Sequence, residues 1–478
     1  MNILTVTLKQ HTPIIHFQHD QEGATLRASE VKPKLDKFIL TKLSAETKAN
    51  GVKEGWIKVK DGKTWLDYKM KIESKQIDSS IQLTIVHDRN NKYYARLNNQ
   101  SKDEFPFLLC NMGGKTTQEE LMNLSLYKEN KLYITVVNKD LCELIEDNIA
   151  AMFAVSNFGQ RTTKGFGSFS VISLEGGKKE WSFPKFNDLV PDKTPMLRFS
   201  VSGDNMLNKQ LMLFQTLDFY WKCLKSGINY SKRKQDRNNS VKILNPERYI
   251  KPYIYTYLNQ VRFKTWEKRL IKETFPQLKT KTPNRYIASN NNQPIFARGM
   301  LGCPMFFEYK IPQGTFHPNN EGRPVEDKKE YRVNISNSEI ERISSPIVFK
   351  PTITDDNEVS VYILFDDEVI RAAENETSVS FSFTCERKEG KEYIAIDGNV
   401  SIDISPSSID YLQLIQKYHF FIGTDRQMSD SIFYDTDIKG DNRKFKMIPR
   451  NFRWENILGQ TDNSENLVSF FQVKHNVQ

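Results

Sequence analysis

The sequence lacks the features of a membrane protein and of a disulfide-rich secreted protein. Apolar runs such as Ile14–Phe17 and Val361–Phe365 are far shorter than the ~20 residues of a membrane-spanning helix. The N-terminal stretch Met1–Lys9 alternates apolar and polar residues, unlike a signal peptide. The cysteines form no CxxC pair and no metal-ligand spacing (Cys110, Cys142, Cys223, Cys303 and Cys385). We therefore expect a soluble, cytoplasmic protein with reduced thiols, without membrane contact, bound metal or other cofactor.

Two common catalytic motifs are also missing. The chain has no GxxxxGK[ST] phosphate-binding loop and no GxSxG nucleophile motif. Its 478 residues are 38% hydrophobic and 12% aromatic, which is enough for the packed cores of two or three domains. The sequence predicts a globular binding protein rather than a nucleotide hydrolase or an acyl-transfer enzyme.

Positive charge is concentrated in the first three quarters of the chain. Lys and Arg number 68 against 59 Asp and Glu, a net charge of +9. Residues 1–349 carry 54 basic and 37 acidic residues, whereas the remainder carries 14 and 22. A basic body of this size attracts polyanions, nucleic acid above all. The alternative is a surface that lysine merely keeps soluble.

The order of predicted elements indicates an α+β protein with two domains. In residues 1–180 the order strand, helix, strands, helix, strand is compatible with a ferredoxin-like (RRM-like) domain. A polar connector, Glu175–Pro195, precedes a second domain at 195–478, with a basic helical insertion at about 205–290 and an acidic C-terminal part. Helices are expected from Ser29, over Leu141–Asn157, over Asn208–Leu224 and around Tyr253–Phe275, whereas Ser408–Phe421 gives mixed signals.

The glycine turn, defined as Asn157–Phe169, is the most informative segment. Its glycines at 159, 165 and 167 allow positive φ and close approach of backbone N–H groups to an anion. Basic and hydroxyl side chains between them can contact phosphate, and its phenylalanines could stack on bases, although alternation places one or two in the core. The candidate binding residues are Gln160, Arg161, Thr162, Thr163, Lys164, Gly165, Phe166 and Gly167. The alternative is a tight turn between a helix and a strand.

Two further basic segments are candidates for nucleic-acid contact. Arg27, Ser29, Lys32 and Lys34 cluster where a helix begins, with Ser29 as the expected N-cap. The stretch Lys222–Lys251 holds nine basic and two acidic residues, and its polar centre is expected to be a mobile loop. That loop would add an electrostatic grip through Lys232, Arg233, Lys234 and Arg237.

Three histidines near the N-terminus, His11, His16 and His19, keep an enzymatic alternative open. Metal-independent RNA cleavage needs an acid and a base with pKa values near 7, which histidine supplies. His11 and His16 are five residues apart, however, and would point to opposite faces of an extended strand. Structural histidines are the simpler interpretation.

The glycine turn carries a resemblance to a known family. FGQRTTKGFGSF after a helix resembles the glycine-rich loop of the RAMP superfamily, the RNA-binding proteins of CRISPR systems. The stretch TPIIHFQHDQEGATLRASEVKPKL is similar to that superfamily's first strand, loop and helix start, and Arg342–Phe349 is similar to a later segment. Within the superfamily, the likeness is strongest to the first, end-capping subunits of type III-B Cmr effector complexes.

The resemblance implies two RAMP domains and a non-catalytic RNA-binding subunit. Such a subunit would contact CRISPR guide RNA, target RNA or both near the guide 3′ end, beside other Cmr subunits, in antiviral defence. Asn157 and Thr163 stand where the family often has glycine and arginine, so the implied contact rests mainly on Arg161 and Lys164. The alternatives are a metal-independent RAMP endoribonuclease that processes precursor CRISPR RNA, and a DNA-binding or scaffolding protein.

Overall fold

Helices and antiparallel sheets alternate along the chain in the computed structural model, which confirms the expected α+β class. The structure describes residues 2–16, 25–87, 93–96, 120–177, 182, 184–201, 206–229, 232–235, 241–244, 249–250, 252–261, 265–278, 294–303, 306–318, 324–337, 344–366, 369, 379–390, 392–404, 409–424 and 453–456.

The helices, in chain order, are α1 (Ala28–Lys42), α2 (Ala45–Lys53), α3 (Lys139–Val155), α4 (Phe186–Leu189), α5 (Met206–Lys225), α6 (Tyr253–Val261), α7 (Glu267–Thr274) and α8 (Tyr411–Thr424). The strands are β1 (Asn2–Gln10), β2 (Ile57–Lys60), β3 (Lys63–Leu66), β4 (Tyr68–His87), β5 (Tyr93–Arg96), β6 (Glu120–Val136), β7 (Phe169–Glu175), β8 (Pro195–Ser200), β9 (Ile228–Asn229), β10 (Lys232–Gln235), β11 (Val241–Leu244), β12 (Tyr249–Ile250), β13 (Thr265–Trp266), β14 (Pro294–Ile295), β15 (Phe306–Pro318), β16 (Pro324–Ser336), β17 (Ile347–Ile353), β18 (Glu358–Phe365), β19 (Val379–Glu389), β20 (Glu392–Ile404) and β21 (Arg453–Asn456). None of the described helices is long and apolar enough to cross a membrane.

The chain divides into two compact units that are not continuous in sequence. Unit 1 comprises Met1–Asp218, Val348–Leu364 and Gly423–Gln478. Unit 2 comprises Phe219–Ile347 and Phe365–Ile422.

Unit 1 contains a five-stranded sheet in the order β5-β4-β6-β1-β7, with antiparallel pairing throughout. Strict alternation on β1 buries Leu4, Val6 and Leu8, because every second side chain points to the same face of a strand. The amphipathic helices α1 and α3 contribute Val31, Leu35, Ile39, Leu141, Ile145, Ile149 and Phe153 to the same core. The helices therefore cover one face of this sheet, and the opposite face carries polar and partly exposed side chains.

A second sheet of unit 1 has the order β17-β18-β8-β21. It brings Val348–Leu364 and β21 into the unit that holds Met1–Asp218. Tyr362 of β18 donates a hydrogen bond to Asn187 at 2.8 Å and stacks against Phe186. Long-range pairing of this kind carries no local sequence signal.

Unit 2 is built on the antiparallel sheet β15-β16-β19-β20. Val333, Phe381 and Phe383 lie on its buried face, and Phe296 packs edge-on against the two phenylalanines. Beside this core, Glu267 forms a buried ion pair with Arg298 (Oε1 to Nε, 2.5 Å).

Several local expectations are corrected by the structure. Strand β1 ends at Gln10, so His11 and His16 do not lie on one extended strand. The expected helix around Tyr253–Phe275 is two helices, α6 and α7. The centre of the expected basic loop contains a β-strand, β10, which pairs with β11. Its own sequence has no apolar alternation, but its partner carries the β-branched Val241 and Ile243.

Candidate nucleic-acid interface

The glycine turn connects α3 to β7 through a backbone that only glycine tolerates at three positions. Gly159, Gly165 and Gly167 have φ values of 80°, 93° and 67°. A Cβ atom at Gly167 would lie 1.8 Å from the carbonyl oxygen of Phe158, and one at Gly159 would lie 2.5 Å from that of Ile15. The positive φ values are confirmed, but the close approach that these two glycines permit is to the chain's own backbone.

Basic and hydroxyl side chains lie at the apex of the turn. Arg161 adopts a left-handed conformation (φ 54°) before the 3₁₀ turn Thr162–Lys164. Gln160, Arg161, Thr162, Thr163 and Lys164 are all half-buried. The turn therefore holds two cationic side chains and two hydroxyls within four consecutive residues, on a backbone fixed at both ends.

Asn157 fixes the base of the turn. Its side-chain amide donates to the carbonyl oxygens of Thr162, at 2.7 Å, and of Phe349, at 2.8 Å. Both amide hydrogens are used, so the Oδ1 atom is the remaining acceptor, and it is buried without a hydrogen-bond partner. The asparagine thus links the apex of the turn to β17.

Lys350 lies fully buried beneath the turn. Its ammonium donates to the carbonyl oxygens of Ser156 and Phe169, each at 2.8 Å. Burial, with the nearby positive charge of Lys34, lowers the pKa of Lys350 well below its ordinary value. The two ends of the glycine turn are therefore held by one side chain from a distant strand.

The start of α1 adjoins the turn through Lys34. The Lys34 ammonium donates to the carbonyl oxygen of Asn157 at 2.5 Å and lies 4.9 Å from the centre of the Phe158 ring. Arg27, at the N-cap of the same helix, is exposed. The helix start is near the turn because His16 donates to the Thr25 carbonyl while the adjacent Ile15 carbonyl accepts from the Gln160 N–H. The structure thus joins two of the three predicted basic segments into one surface, which we call the turn surface: Arg27, Lys34 and Gln160–Lys164.

Two residues of this helix differ from their expected roles. Arg27, not Ser29, occupies the N-cap position, and Ser29 is an exposed residue of the first turn. The ammonium of Lys32 is bound by Asp36 at 2.7 Å and by the carbonyl oxygen of Leu66 at 2.9 Å. Lys32 therefore ties α1 to β3 and is not part of the turn surface.

The phenylalanines of the turn are core residues. Phe158, Phe166 and Phe169 are each fully buried. Phe166 stacks on Phe214 with ring centres 4.1 Å apart, and Phe158 packs against both Phe153 and Phe169. The expected stacking of Phe166 on a base is not available in this arrangement, because the ring is already occupied by the protein core.

The third basic segment is only partly described. Lys232, Arg233 and Lys234 lie on β10, whereas Arg237 lies outside the described residues. These residues belong to unit 2, whereas the turn surface belongs to unit 1.

The two described histidines near the N-terminus, His11 and His16, are buried and hydrogen-bonded within the protein. His11 is 5% exposed; its Nδ1 accepts from the Ile353 N–H at 3.0 Å, and its Nε2 therefore donates to Ser170 at 2.8 Å. Burial, with the charges of Lys350 and Lys9, lowers the pKa of His11 to about 3. His16 is also buried and donates to the carbonyl of Thr25, while His19 lies outside the described residues. Within the described part of the chain, no three His, Cys, Asp or Glu side chains are grouped as metal ligands.

Sequence reasoning missed the residues that hold the turn in place, Lys350 above all. Lys350 lies in a mainly apolar strand, and nothing in that local sequence indicates that its ammonium is buried. Nor does it indicate that the ammonium binds a carbonyl oxygen 181 residues earlier in the chain. Thr12, which donates to the carbonyl of Gly165 at 2.7 Å, was likewise without a signal.

Two family models match this chain, and both describe domains of the same family. A family model for the Cmr1 N-terminal domain matches residues 1–228, and one for the Cmr1 C-terminal domain matches residues 249–432. No curated protein sequence matches the chain.

Two solved structures are distantly similar. One is a chain from the cryo-EM structure of the Type III-B Cmr-beta bound to cognate target RNA, with 13% identity and a TM-score of 0.24. That match covers 36% of this chain and 60% of the other. The second, from the same assembly with cognate target RNA and AMPPnP in the presence of ssDNA, has 9% identity and a TM-score of 0.31, and covers 77% of this chain and 97% of the other.

The two family models together span most of the chain. The resemblance found at the glycine turn, to the RAMP superfamily and the first subunit of type III-B Cmr complexes, is thereby confirmed: the chain belongs to the Cmr1 family.

Proposed function

We propose that this protein is an RNA-binding, non-cutting subunit of a type III-B CRISPR effector complex, and that it holds RNA on the turn surface. The observation that carries the proposal is the Lys34 ammonium bound to the Asn157 carbonyl. This contact joins α1 to the base of the turn that carries Arg161 and Lys164, and it supports a single RNA path lined by cations from both elements. Guide RNA, target RNA or both would lie there, near the guide 3′ end, beside other Cmr subunits.

The strand order of unit 1 supports the domain architecture in this proposal. The chain runs β1-α1-β4-β6-α3-β7, and the sheet places β1 between β6 and β7. A ferredoxin-like domain has this succession of strands and helices. We extend the same architecture to residues 195–478, with the segment at about 205–290 as an insertion.

The enzymatic alternative finds little support in the described histidines. A general base must accept a proton near neutral pH and reach the substrate. His11 has a pKa of about 3 and both ring nitrogens are engaged inside unit 1. Stable binding without cleavage is therefore the function that the turn surface favours.

The proposal is tested by a salt titration of RNA binding with the full-length chain. Arg161→Ala combined with Lys164→Ala removes two phosphate contacts, so the affinity for guide RNA falls and the slope of log affinity against log salt shrinks by about 1.4 for single-stranded RNA. Lys60→Ala with Lys63→Ala, on the exposed β2–β3 hairpin, removes the same charge and serves as the control. Unchanged affinity in the first variant contradicts the proposal, and equal competition by DNA of the same length favours the DNA-binding alternative.

A further inference from the structure

The face of the five-stranded sheet opposite α1 and α3 is a second surface of unit 1. Alternation on β1 places Thr5 and Thr7 on this face, both half-buried, with Ile3 54% exposed. The pairing registers show which residues of the neighbouring strands lie beside them. We call this the open sheet face.

Tyr133 occupies the centre of the open sheet face. It lies on β6 directly opposite Lys71 of β4 on one side and Thr5 of β1 on the other. Directly opposite residues in an antiparallel pair have Cβ atoms about 4.5–5.5 Å apart, so these three side chains form one row across the sheet. The tyrosine ring is half-buried, which leaves part of it accessible to a ligand.

Further rows flank the central one. Lys69 lies opposite Thr135, which lies opposite Ile3; Glu73 lies opposite Lys131, which lies opposite Thr7. The open sheet face thus surrounds one aromatic ring with ammonium groups and threonine hydroxyls.

Positive charge predominates on this face. Glu73 bridges Lys71, at 2.6 Å, and Lys75, at 3.0 Å, so this trio retains one net positive charge. Lys69 and Lys131 add to it on either side of the tyrosine row. Among the side chains of this face that the structure describes, five lysines stand against three glutamates: Lys9, Lys69, Lys71, Lys75 and Lys131 against Glu73, Glu129 and Glu175. Lys9 also pairs with the exposed Asp355.

We propose that the open sheet face binds single-stranded RNA, with one base stacked on Tyr133 and the backbone held by the surrounding lysines. An aromatic ring at the centre of a sheet accepts an unpaired base, while ammonium groups one row away contact the phosphates on either side. The hydroxyls of Thr5, Thr7 and Thr135 are suited to hydrogen bonds with ribose. This surface is separate from the turn surface, since Tyr133 pairs with Thr5 in the middle of β1, whereas the glycine turn ends at Phe169, which pairs with Gln10 at the end of β1.

Photocrosslinking of the full-length chain to a single-stranded RNA that contains 4-thiouridine tests the position directly. The expected result is a crosslinked peptide that contains Tyr133, together with a separate peptide from the glycine turn. Crosslinks confined to the glycine turn overturn the inference and leave the proposed function intact. Crosslinks confined to β4 and β6 support the inference and contradict RNA binding at the turn surface.

Binding measurements provide the second arm of the test. Tyr133→Ala is expected to weaken single-stranded RNA binding about tenfold without altering the salt slope, whereas Tyr133→Phe retains the ring and nearly full affinity. Lys69→Gln with Lys71→Gln is expected to reduce the slope. If Tyr133→Ala binds RNA like the wild type but fails to join its complex, the face docks a protein and the inference is wrong. If the Ala variant does not fold, the Lys69→Gln with Lys71→Gln variant and the crosslinking experiment still test the inference.

Discussion

Lys350 donates from a fully buried ammonium to the carbonyl oxygen of Phe169, 2.8 Å away and 181 residues earlier in the chain. The same ammonium binds the carbonyl of Ser156, at the other end of the glycine turn. A buried amine that satisfies two carbonyls fixes their separation, because each unmade hydrogen bond would leave a buried polar group unsatisfied. The geometry of the turn surface therefore depends on β17, which the sequence places far from it.

Replacing this lysine is expected to loosen the turn. Lys350→Met has a similar length but leaves the carbonyls of Ser156 and Phe169 without their donor, at a cost of about 1–3 kcal/mol in the free energy of unfolding. Urea unfolding measures the stability, and amide hydrogen exchange of residues 157–169 shows whether the loss is local. Unchanged exchange in the turn would show that the ammonium does not hold it.

The buried imidazole of His11 predicts a loss of stability in mild acid. The pKa of His11 falls from 6.5 to about 3 on folding. Below pH 6.5 the imidazole is therefore protonated in the unfolded chain but still neutral in the folded chain. Stability present at neutral pH is lost as the pH falls toward 3, by about 2 kcal/mol between pH 7.5 and pH 5. Urea unfolding at a series of pH values measures this.

His11→Gln is expected to be less stable at pH 7 and to lack that component, so its pH profile is flatter. The matched control is His317→Gln, which removes an exposed histidine paired with Asp327. A His11→Gln profile parallel to that of the wild type would contradict the assignment.

Two glycines with similar φ but different surroundings separate backbone strain from steric contact. Gly167→Ala would place a Cβ atom 1.8 Å from the Phe158 carbonyl oxygen at φ 67°, which forces the backbone to move. We expect a loss of more than about 3 kcal/mol together with weaker RNA binding. Gly62→Ala has φ 72° and nothing within 4 Å, so it should cost only about 1 kcal/mol. Thermal unfolding of both variants checks the difference, and equal losses would argue against a close-packed turn.

The ion pair of unit 2 yields a prediction independent of RNA. Arg298→Met leaves the fully buried carboxylate of Glu267 without its partner, at a cost of about 3–5 kcal/mol. Adding Glu267→Met should restore much of that loss, because no buried charge then remains. Arg269→Met removes the more exposed i, i+4 pair with Glu273 and should cost less than about 1 kcal/mol. Denaturant unfolding of these three variants and of the single Glu267→Met variant tests this, and additive losses in the double variant would show that the two charges are not coupled.

Local periodicity predicted the elements that depend on nearby residues. The sequence predicts α3 over Leu141–Asn157, and this helix extends over Lys139–Val155. It predicts α5 over Asn208–Leu224, and this helix extends over Met206–Lys225. Their apolar residues recur at regular helical spacing. Asn138 caps the N-terminus of α3, and the glycine turn follows its C-terminus. Helix α8 gave mixed signals, because its aromatic and β-branched residues suit a strand as well as a buried helix.

The parts of the turn surface that depend on distant residues could not be predicted in the same way. Basic and hydroxyl residues at Arg161–Lys164 are visible in the sequence, and so are the positive φ values that the glycines allow. The burial of Phe166 against Phe214, the engagement of Lys32 by Asp36, and the support from Lys350 follow from tertiary packing alone. Such contacts join residues far apart in the chain, so no periodicity in the sequence predicts them.

Purification of the protein from its native cell under gentle conditions, followed by sequencing of the RNA that accompanies it, tests whether the turn surface holds guide RNA. We expect mature guide RNAs that share one repeat-derived end, depleted after Arg161→Ala with Lys164→Ala and retained after Lys60→Ala with Lys63→Ala. Unprocessed repeat RNA would favour the endoribonuclease alternative. Absence of any enriched RNA would contradict RNA binding and reduce the glycine turn to a connection between a helix and a strand.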